Sequence, residues 1–380
     1  MATTSLLVIG AGPYALSTAA LAAEHGIGTV VVGRPMGFWR EHMPMGMFLR
    51  SGPDWHLDAS AVHTFEAYLV ERGIAAPDVD PIPIGLFLDY AEWFRAAKGI
   101  DVRRELVTDL VEREGRFEAT LDGGDRVTAD AVVAAPGICH FTNVPAWAGL
   151  VSPERATHTC DLVGFRELAG ARVLIVGGRQ SAYEWAALLA EHGAERIDVV
   201  HRHESPRFER VSWGFVDQCV ESTVRIRGWW RNLPTVEQKA IAQRFWEAGR
   251  LTLEHWLVPR LAGRAVHRWP RAEVIGVEPV DARDDLRVHL SNAEDLSVDH
   301  VVFATGYRAE LARVGYLAGV VDRIATADGF PVLDDAFGSS LSGLYLPGFT
   351  ATRDFGPFFG FVKGAPAAAT LIVHDLLTRP

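Results

Sequence analysis

With 380 residues, 48% of them hydrophobic, the chain can bury a full core and form two domains or one large one. Its net charge of −11 argues against nucleic acid as the main partner, because a phosphate-binding surface needs a basic excess. No apolar run approaches the roughly 18–20 residues of a membrane-spanning helix, and three cysteines are too few for a disulfide framework.

The chain enters a strand by Leu6, which leaves no room for a signal peptide, so a soluble cytoplasmic protein is expected. That strand, Leu6-Leu7-Val8-Ile9, runs into Gly10-Ala11-Gly12-Pro13 and opens an Ala-rich helix through Ala15 to Ala23. A strand that ends in glycines and becomes a helix points free N–H groups and the positive end of the helix dipole at one place. Such a place suits a pyrophosphate. Val30-Val31-Val32 predicts the second parallel strand, and residues 60–72 and 87–97 are predicted helical. Between them Met43, Met45 and Met47 alternate, as one-face packing requires. Leu106 to Glu112, Phe117 to Leu121, a Gly123-Gly124 turn, Val127 and Ala131 to Ala135 predict a small antiparallel meander. Pro145 to Pro153 reads as a linker.

A second strand–turn–helix begins at Arg172, with Val173 to Val176 running into Gly177-Gly178-Arg179-Gln180-Ser181 and a helix over Tyr183 to Glu191. Two such turns point to two dinucleotides and to electron transfer between them. Ile197 to Val200 predicts the next strand, followed by His201-Arg202-His203. Residues 205–262 then break the pattern, holding Trp213, Trp229, Trp230, Trp246 and Trp256 of the eleven tryptophans. They read either as an insertion with its own small core or as a wall over a substrate cavity. Strands return at Val274 to Val280, Leu286 to Leu290, Val301 to Phe303 and Gly343 to Gly348, and a last helix spans about Phe361 to Leu377.

The expected fold is α/β, with two Rossmann-like dinucleotide-binding domains and a Trp-rich helical insertion. Residues 1–150 plus 295–380 form the first domain, and 151–294 form the second, inserted into it. There is no C-x-x-C, and Cys139 reads as a small buried hydrophobe rather than a redox thiol. His201 and His203 share a strand face but lack a third ligand, so no metal is expected.

These residues resemble the two-dinucleotide flavoprotein monooxygenases, which include flavin-containing, Baeyer–Villiger and N-hydroxylating amino-acid monooxygenases. Gly10-Ala11-Gly12-Pro13 with Ala15 looks like the FAD turn, and Met36-Gly37-Phe38-Trp39 like the Gly-Gly-x-Trp segment beside the flavin. Gln180-Ser181-Ala182 with Glu184 resembles the NADPH turn of the N-hydroxylating branch, and Ala304-Thr305-Gly306-Tyr307 matches a string of the same families. The resemblance implies FAD and NADPH as cofactors. It implies further cofactor contacts at Arg34, Gly37, Trp39, Met47, Val107, Gly348, Phe355, Gly356 and Pro357. On the nicotinamide side they are Gly177, Gly178, Arg179, Gln180, Ser181, Thr305, Gly306 and Tyr307. Arg202 would pair with a 2′-phosphate, which favours NADPH over NADH.

Three positions depart from the families' pattern. The second strand ends in Gly33-Arg34 where an acid for the FAD ribose is usual, and Arg179 stands where the NADPH turn has its second glycine. Trp147-Ala148-Gly149 begins a Phe-x-Gly-x-x-x-His fingerprint, but the next histidine, His158, is too far along, which argues against a Baeyer–Villiger enzyme. By analogy, Met43 to His56 lies along the isoalloxazine ring. Arg50 is then the candidate to stabilise a negatively charged peroxyflavin, and Asp54 and His56 are candidates for proton transfer. Phe355, Phe358 and Phe359 are candidate walls of the substrate pocket. The implied activity is NADPH-driven transfer of one oxygen atom from O2, through a C4a-(hydro)peroxyflavin, to a nitrogen or sulfur of a small molecule. A Baeyer–Villiger enzyme, an NAD(P)H oxidase or reductase, and a flavin-binding regulatory protein with a lost NADPH site are the alternatives. The Trp-rich insertion is the candidate interface of a homo-oligomer.

Overall fold

Strand Ala2–Ile9 lies at the centre of the first sheet, with Leu6, Leu7 and Val8 fully buried. The computed structural model describes residues 2–280 and 285–379. In it this strand is flanked by Thr29–Val32 on one side and Arg126–Ala134 on the other, both parallel to it. Val102–Arg103 extends one edge in parallel, and Arg116–Leu121 and Val107–Arg113 extend the other as the expected antiparallel meander. The late strand Leu344–Tyr345 returns beside Arg126–Ala134. Continuous apolar runs suit strands covered on both faces. One cover is the Ala-rich helix Pro13–Glu24, whose small side chains let it pack closely against the last helix, Ala365–Thr378.

The second sheet repeats this plan. Arg172–Val176 is central, with Arg196–His201 and then Val266–Pro270 on one side, and His300–Phe303 and then Ala156–His158 on the other, all parallel. Strand His300–Phe303, expected in the first domain, therefore belongs to the second sheet. The three-stranded antiparallel sheet of Val274–Val280, Asp285–Leu290 and Asp295–Val298 packs on that sheet too, in one apolar cluster with Leu174 and Val301. The switch back to the first unit falls after Phe303, not at residue 295. The pattern of residues 300–303 is that of any buried strand, and only pairing to Arg172–Val176 decides the sheet.

Residues 205–262 do not form a core of their own. Val216, Cys219, Val220, Trp230 and Phe245 bury into the cluster of the first unit, whereas Leu253, Leu257 and Leu261 bury into that of the second. The insertion, built on helices Gly214–Arg225 and Thr235–Trp246, is a bridge clamped to both units. Among the described residues no helix is long and apolar enough to cross a membrane.

Candidate active site

The two glycine turns are built alike. Gly10 has φ +107° and Gly177 φ +136°, in the left-handed half of backbone space that glycine enters without strain. Each donates its N–H to the end of the neighbouring strand, Gly10 to the Val32 carbonyl at 2.8 Å and Gly177 to that of Val200 at 2.9 Å. A Cβ at Gly10 would lie 2.5 Å from the Ala135 carbonyl oxygen, and one at Gly177 would overlap the Ala304 carbonyl oxygen. Helices Pro13–Glu24 and Gln180–Glu191, both 12 residues, each start three residues later. Pro13 at the first helical position gives up an N–H that has no intrahelical partner anyway. A cradle that only glycine fills, opening onto a helix N-terminus, fits a dinucleotide pyrophosphate at each turn.

The two departures at the nucleotide turns have a steric explanation. Gly12 and Arg179 occupy the same N-cap position, with φ −86°, ψ −171° and φ −107°, ψ −172°. A Cβ at Gly12 meets nothing within 4 Å, so this position tolerates a side chain. The Arg179 guanidinium turns onto the Trp246 ring of the insertion, 4.1 Å from its centroid, which leaves the turn's backbone open. Gly33 has φ +147°, and a Cβ there would stand 3.1 Å from the Gly10 Cα. A side chain there would strain the backbone and crowd the first turn. The nearby carboxylate comes instead from Glu41, held by Arg34 at 2.6 Å.

One cavity of ≈ 1170 Å³ joins the two turns. Gly10 to Pro13, Arg34, Gly37, Trp39, Met47 and Val107 line it from the first unit. Gly177 to Ser181 and Arg202 line it from the second, with Thr305 to Tyr307 at the crossing and Gly348 and Pro357 in the C-terminal loop. At the crossing Asn143 donates its N–H to the Gly306 carbonyl at 2.9 Å, and the Thr305 hydroxyl donates to the Asn143 carbonyl. The exposed Arg202 directly follows strand Arg196–His201.

Several expected site residues lie elsewhere. Ala15 is buried in the first helix, where its small size allows close packing, and it does not line the cavity. Phe355 stacks on Phe337 at 3.7 Å in the core, and Gly356 beside it packs against Phe358 and Trp230. Phe358 and Phe359 are fully buried, so the aromatic wall of the cavity is not built from Phe355, Phe358 and Phe359. The last helix begins at Ala365, four residues beyond its expected start. Asp54 and His56 are outside the lining. Asp54 pairs with Lys363 at 3.2 Å, while His56 Nδ1 is buried with no hydrogen-bond partner and burial lowers its pKa. Neither is placed to move a proton in the cavity.

Arg50 does line the cavity, but its donors are directed into the insertion. Nε donates to Glu254 at 3.0 Å, Nη1 to the Gly249 carbonyl at 2.7 Å, and Nη2 to the Thr252 carbonyl at 3.0 Å and the Ala248 carbonyl at 3.4 Å. The Glu254 N–H is in turn bonded to Gln180 Oε1 at 3.1 Å, and Gln180 Nε2 donates to Glu184 at 3.0 Å. Glu184, fully buried, also accepts from Trp256 and Arg260. Burial raises both Glu184 and Glu254 above the ordinary carboxyl range, against the pull of their cationic partners. The expected charge stabiliser is thus a tie between the flavin-side loop, the insertion and the nicotinamide turn. Glu254, Gln180's bridging role, Trp246 and Lys363 carried no local signal, since each acquires its partner across tens to hundreds of residues.

His201 lies beneath the second turn, where a Cβ on Gly178 would meet its ring. It stacks on His203 at 4.5 Å and shares a hydrogen bond with Tyr183 Oη at 3.2 Å. Burial, then the neighbouring His203, pushes His201 down to about 4. The folded ring stays neutral while the unfolded chain takes up a proton below about 6.5, so stability is full above that pH and falls toward pH 4. In His201→Gln that loss should shrink by an amount on the order of 2–3 kcal/mol. Urea midpoints at pH 7.5 and about 4.5 for both proteins measure it, and equal slopes would show the ring does not titrate this way. His42, Cys160 and Asp161 also come together, but His42 Nδ1 sits 2.9 Å from the Cys160 carbonyl, which engages it as a donor. Burial pushes the Cys160 thiol up to about 11 and raises Cys139 as well, which leaves both thiols protonated and weak as nucleophiles.

Residues 4–228 match the pyridine nucleotide-disulphide oxidoreductase family. An FAD-dependent urate hydroxylase of Xanthomonas campestris pv. campestris is 35% identical over 159 residues, 39% of this chain and 33% of that one. An indole-3-pyruvate monooxygenase of Oryza sativa subsp. japonica is 27% identical over 212 residues, 53% of this chain and 49% of that one. The chain therefore spans between a third and a half of the length of these curated relatives. Among solved structures, the ornithine N-hydroxylase of Kutzneria sp. 744 with reduced FAD, NADP+ and L-ornithine superposes with a TM-score of 0.81 at 18% identity. The match covers 99% of both chains, and the fold is shared.

Proposed function

Because the chain belongs to the pyridine nucleotide-disulphide oxidoreductase family, we propose that it is an FAD-dependent, NADPH-using monooxygenase that oxygenates the nitrogen of a small molecule. The cofactors are FAD and NADPH, and the balanced reaction is R–NH2 + O2 + NADPH + H+ → R–NHOH + H2O + NADP+. The observation that carries this reading is the single cavity onto which both glycine cradles open. Dithiol exchange, the other use of such a pair of sites, has no support in the thiols: C-x-x-C is absent, and all three cysteines are free with their pKa values raised by burial.

When bound, FAD supplies the centre that accepts a hydride from NADPH and activates O2. The protein's part is to bind, orient and exclude water. Gly10 to Pro13 hold the FAD pyrophosphate, Gly177 to Ser181 that of NADPH, and Arg202 its 2′-phosphate. Arg50 and Gln180 fix the nicotinamide turn against the flavin-side loop through Glu254. Aromatic rings in the cavity lining would help to exclude water, which protects a reactive oxygen species. We assign residues up to about 142 and from about 304 to the FAD-binding unit and the segment between them to the NADPH-binding unit.

The test is anaerobic titration of the yellow holoprotein with NADPH and NADH, followed by oxygen. NADPH should bleach the flavin, and a substrate amine should then gain one oxygen. Arg202→Ala should weaken NADPH about 10–100-fold and leave NADH unchanged, as loss of a charge-assisted bond to phosphate of roughly 1.5–3 kcal/mol implies. A bound flavin that neither nucleotide reduces would refute the reading.

A further inference from the structure

The first nucleotide turn lacks a part that the second strand usually supplies. In sites of this kind an acid near that strand's end accepts a ribose hydroxyl proton. Here strand Thr29–Val32 runs into Gly33 and Arg34. A guanidinium only donates, so Arg34 cannot take that proton itself.

The chain brings an acceptor back to the same place. The Met36 N–H donates to the Ala11 carbonyl inside the turn at 2.9 Å, and the Gly37 N–H to the Arg34 carbonyl at 2.9 Å. The five-residue helix Gly37–Glu41 therefore starts against the turn. Its last side chain folds back over its first residue. A Cβ on Gly37 would stand 3.9 Å from Glu41 Oε1 and 3.1 Å from Arg34 Cβ. Arg34 Nη1 donates to Glu41 Oε2 at 2.6 Å, which leaves Oε1 without a hydrogen bond among the described residues. Arg34 and Glu41 are both exposed, and both line the cavity. Among the described residues one other acid lines it, Glu273, which precedes strand Val274–Val280 of the second unit.

We propose that Glu41 holds the adenosine ribose of FAD, with Oε1 accepting a hydroxyl proton, in place of the acid missing from the strand end. Arg34 is the positioning residue: it fixes the carboxylate through Oε2 and leaves the other oxygen for the sugar. Glu41 would do this whatever reaction follows, so the test below is independent of the oxygenation proposed above.

The holoprotein is equilibrated with mixtures of FAD and an FAD analogue whose adenosine carries 2′,3′-dideoxyribose, and the bound flavins are then quantified. The wild type should prefer FAD about tenfold, as one hydrogen bond to a carboxylate implies. In Glu41→Ala the preference should fall to near one. Glu41→Gln, which keeps an acceptor but loses the charge and the Arg34 pair, should lie between them. Arg34→Ala should lower the preference only in part. A purely structural role for Glu41 would weaken both flavins alike and leave the ratio unchanged. NADP+ affinity, read from the flavin difference spectrum, should be the same in the wild type and Glu41→Gln. No preference for FAD in the wild type overturns the proposal, as does a full preference kept in both Glu41 variants. A loss of NADP+ affinity without a change in the flavin ratio would move Glu41 to the second nucleotide and overturn it too. Should Glu41→Ala retain neither flavin, Glu41→Gln carries the comparison, with a preference below half that of the wild type expected.

Discussion

Arg50→Ala should detach the insertion from the flavin-side loop and cost about 3–5 kcal/mol, the range for removing one partner of a buried ion pair. The Arg50 side chain is 18% exposed and that of Glu254 only 4%, so the abandoned carboxylate has little access to water. Its loss also leaves the carbonyls of Ala248, Gly249 and Thr252 without their donor. The expected readouts are faster hydrogen exchange over residues 247–254 and a lower thermal midpoint of the holoprotein. Arg50→Lys keeps the charge but not the planar fork, and should recover only part of the loss. Adding Glu254→Gln to Arg50→Ala should recover part of the stability, because the amide needs no counter-charge, while the three carbonyls still lack their donor. If Arg50→Ala alone leaves exchange in this segment unchanged, the tie is not what holds the insertion.

Gly10→Ala and Gly177→Ala should each abolish one nucleotide site and spare the other. The added Cβ faces a backbone carbonyl oxygen one residue beyond the end of a strand, and positive φ adds strain of order 1–3 kcal/mol. Gly10→Ala should purify colourless, whereas Gly177→Ala should keep its flavin and resist reduction by NADPH. Arg179→Gly provides the contrast. Its side chain lies on Trp246 outside the turn, and loss of a cation–π contact of about 0.5–1 kcal/mol should shift NADPH affinity less than tenfold. Full reduction of Gly177→Ala at ordinary NADPH concentrations would place the nicotinamide nucleotide elsewhere. A large gain in affinity for Arg179→Gly would mean that the arginine obstructs the turn.

Much of the frame is local and was therefore open to reading. A glycine that must take positive φ, a proline at the first helical position and an unbroken apolar run each act within about ten residues. Gly10, Pro13, Gly177 and the buried strands that precede these turns announce themselves without knowledge of the rest. The similarity of the two turns is local too, down to the matching N-cap geometry of Gly12 and Arg179. The expectation against nucleic acid is likewise read from composition, since a net charge of −11 is a property of the whole chain.

What tertiary structure decided are the pairings. Arg50 looks the same in sequence whether it faces a flavin or Glu254, which is 204 residues away. Strand His300–Phe303 could extend either sheet, and register with Arg172–Val176 places it in the second. Phe355 and Phe361 sit six residues apart in one aromatic loop, yet the first stacks in the core on Phe337 and the second lines the cavity. Long-range contacts of this kind depend on which surfaces are brought together once both sheets and the insertion have packed. Hydrophobicity and charge tell a side chain what class of neighbour it needs, and only the folded chain determines which neighbour that is.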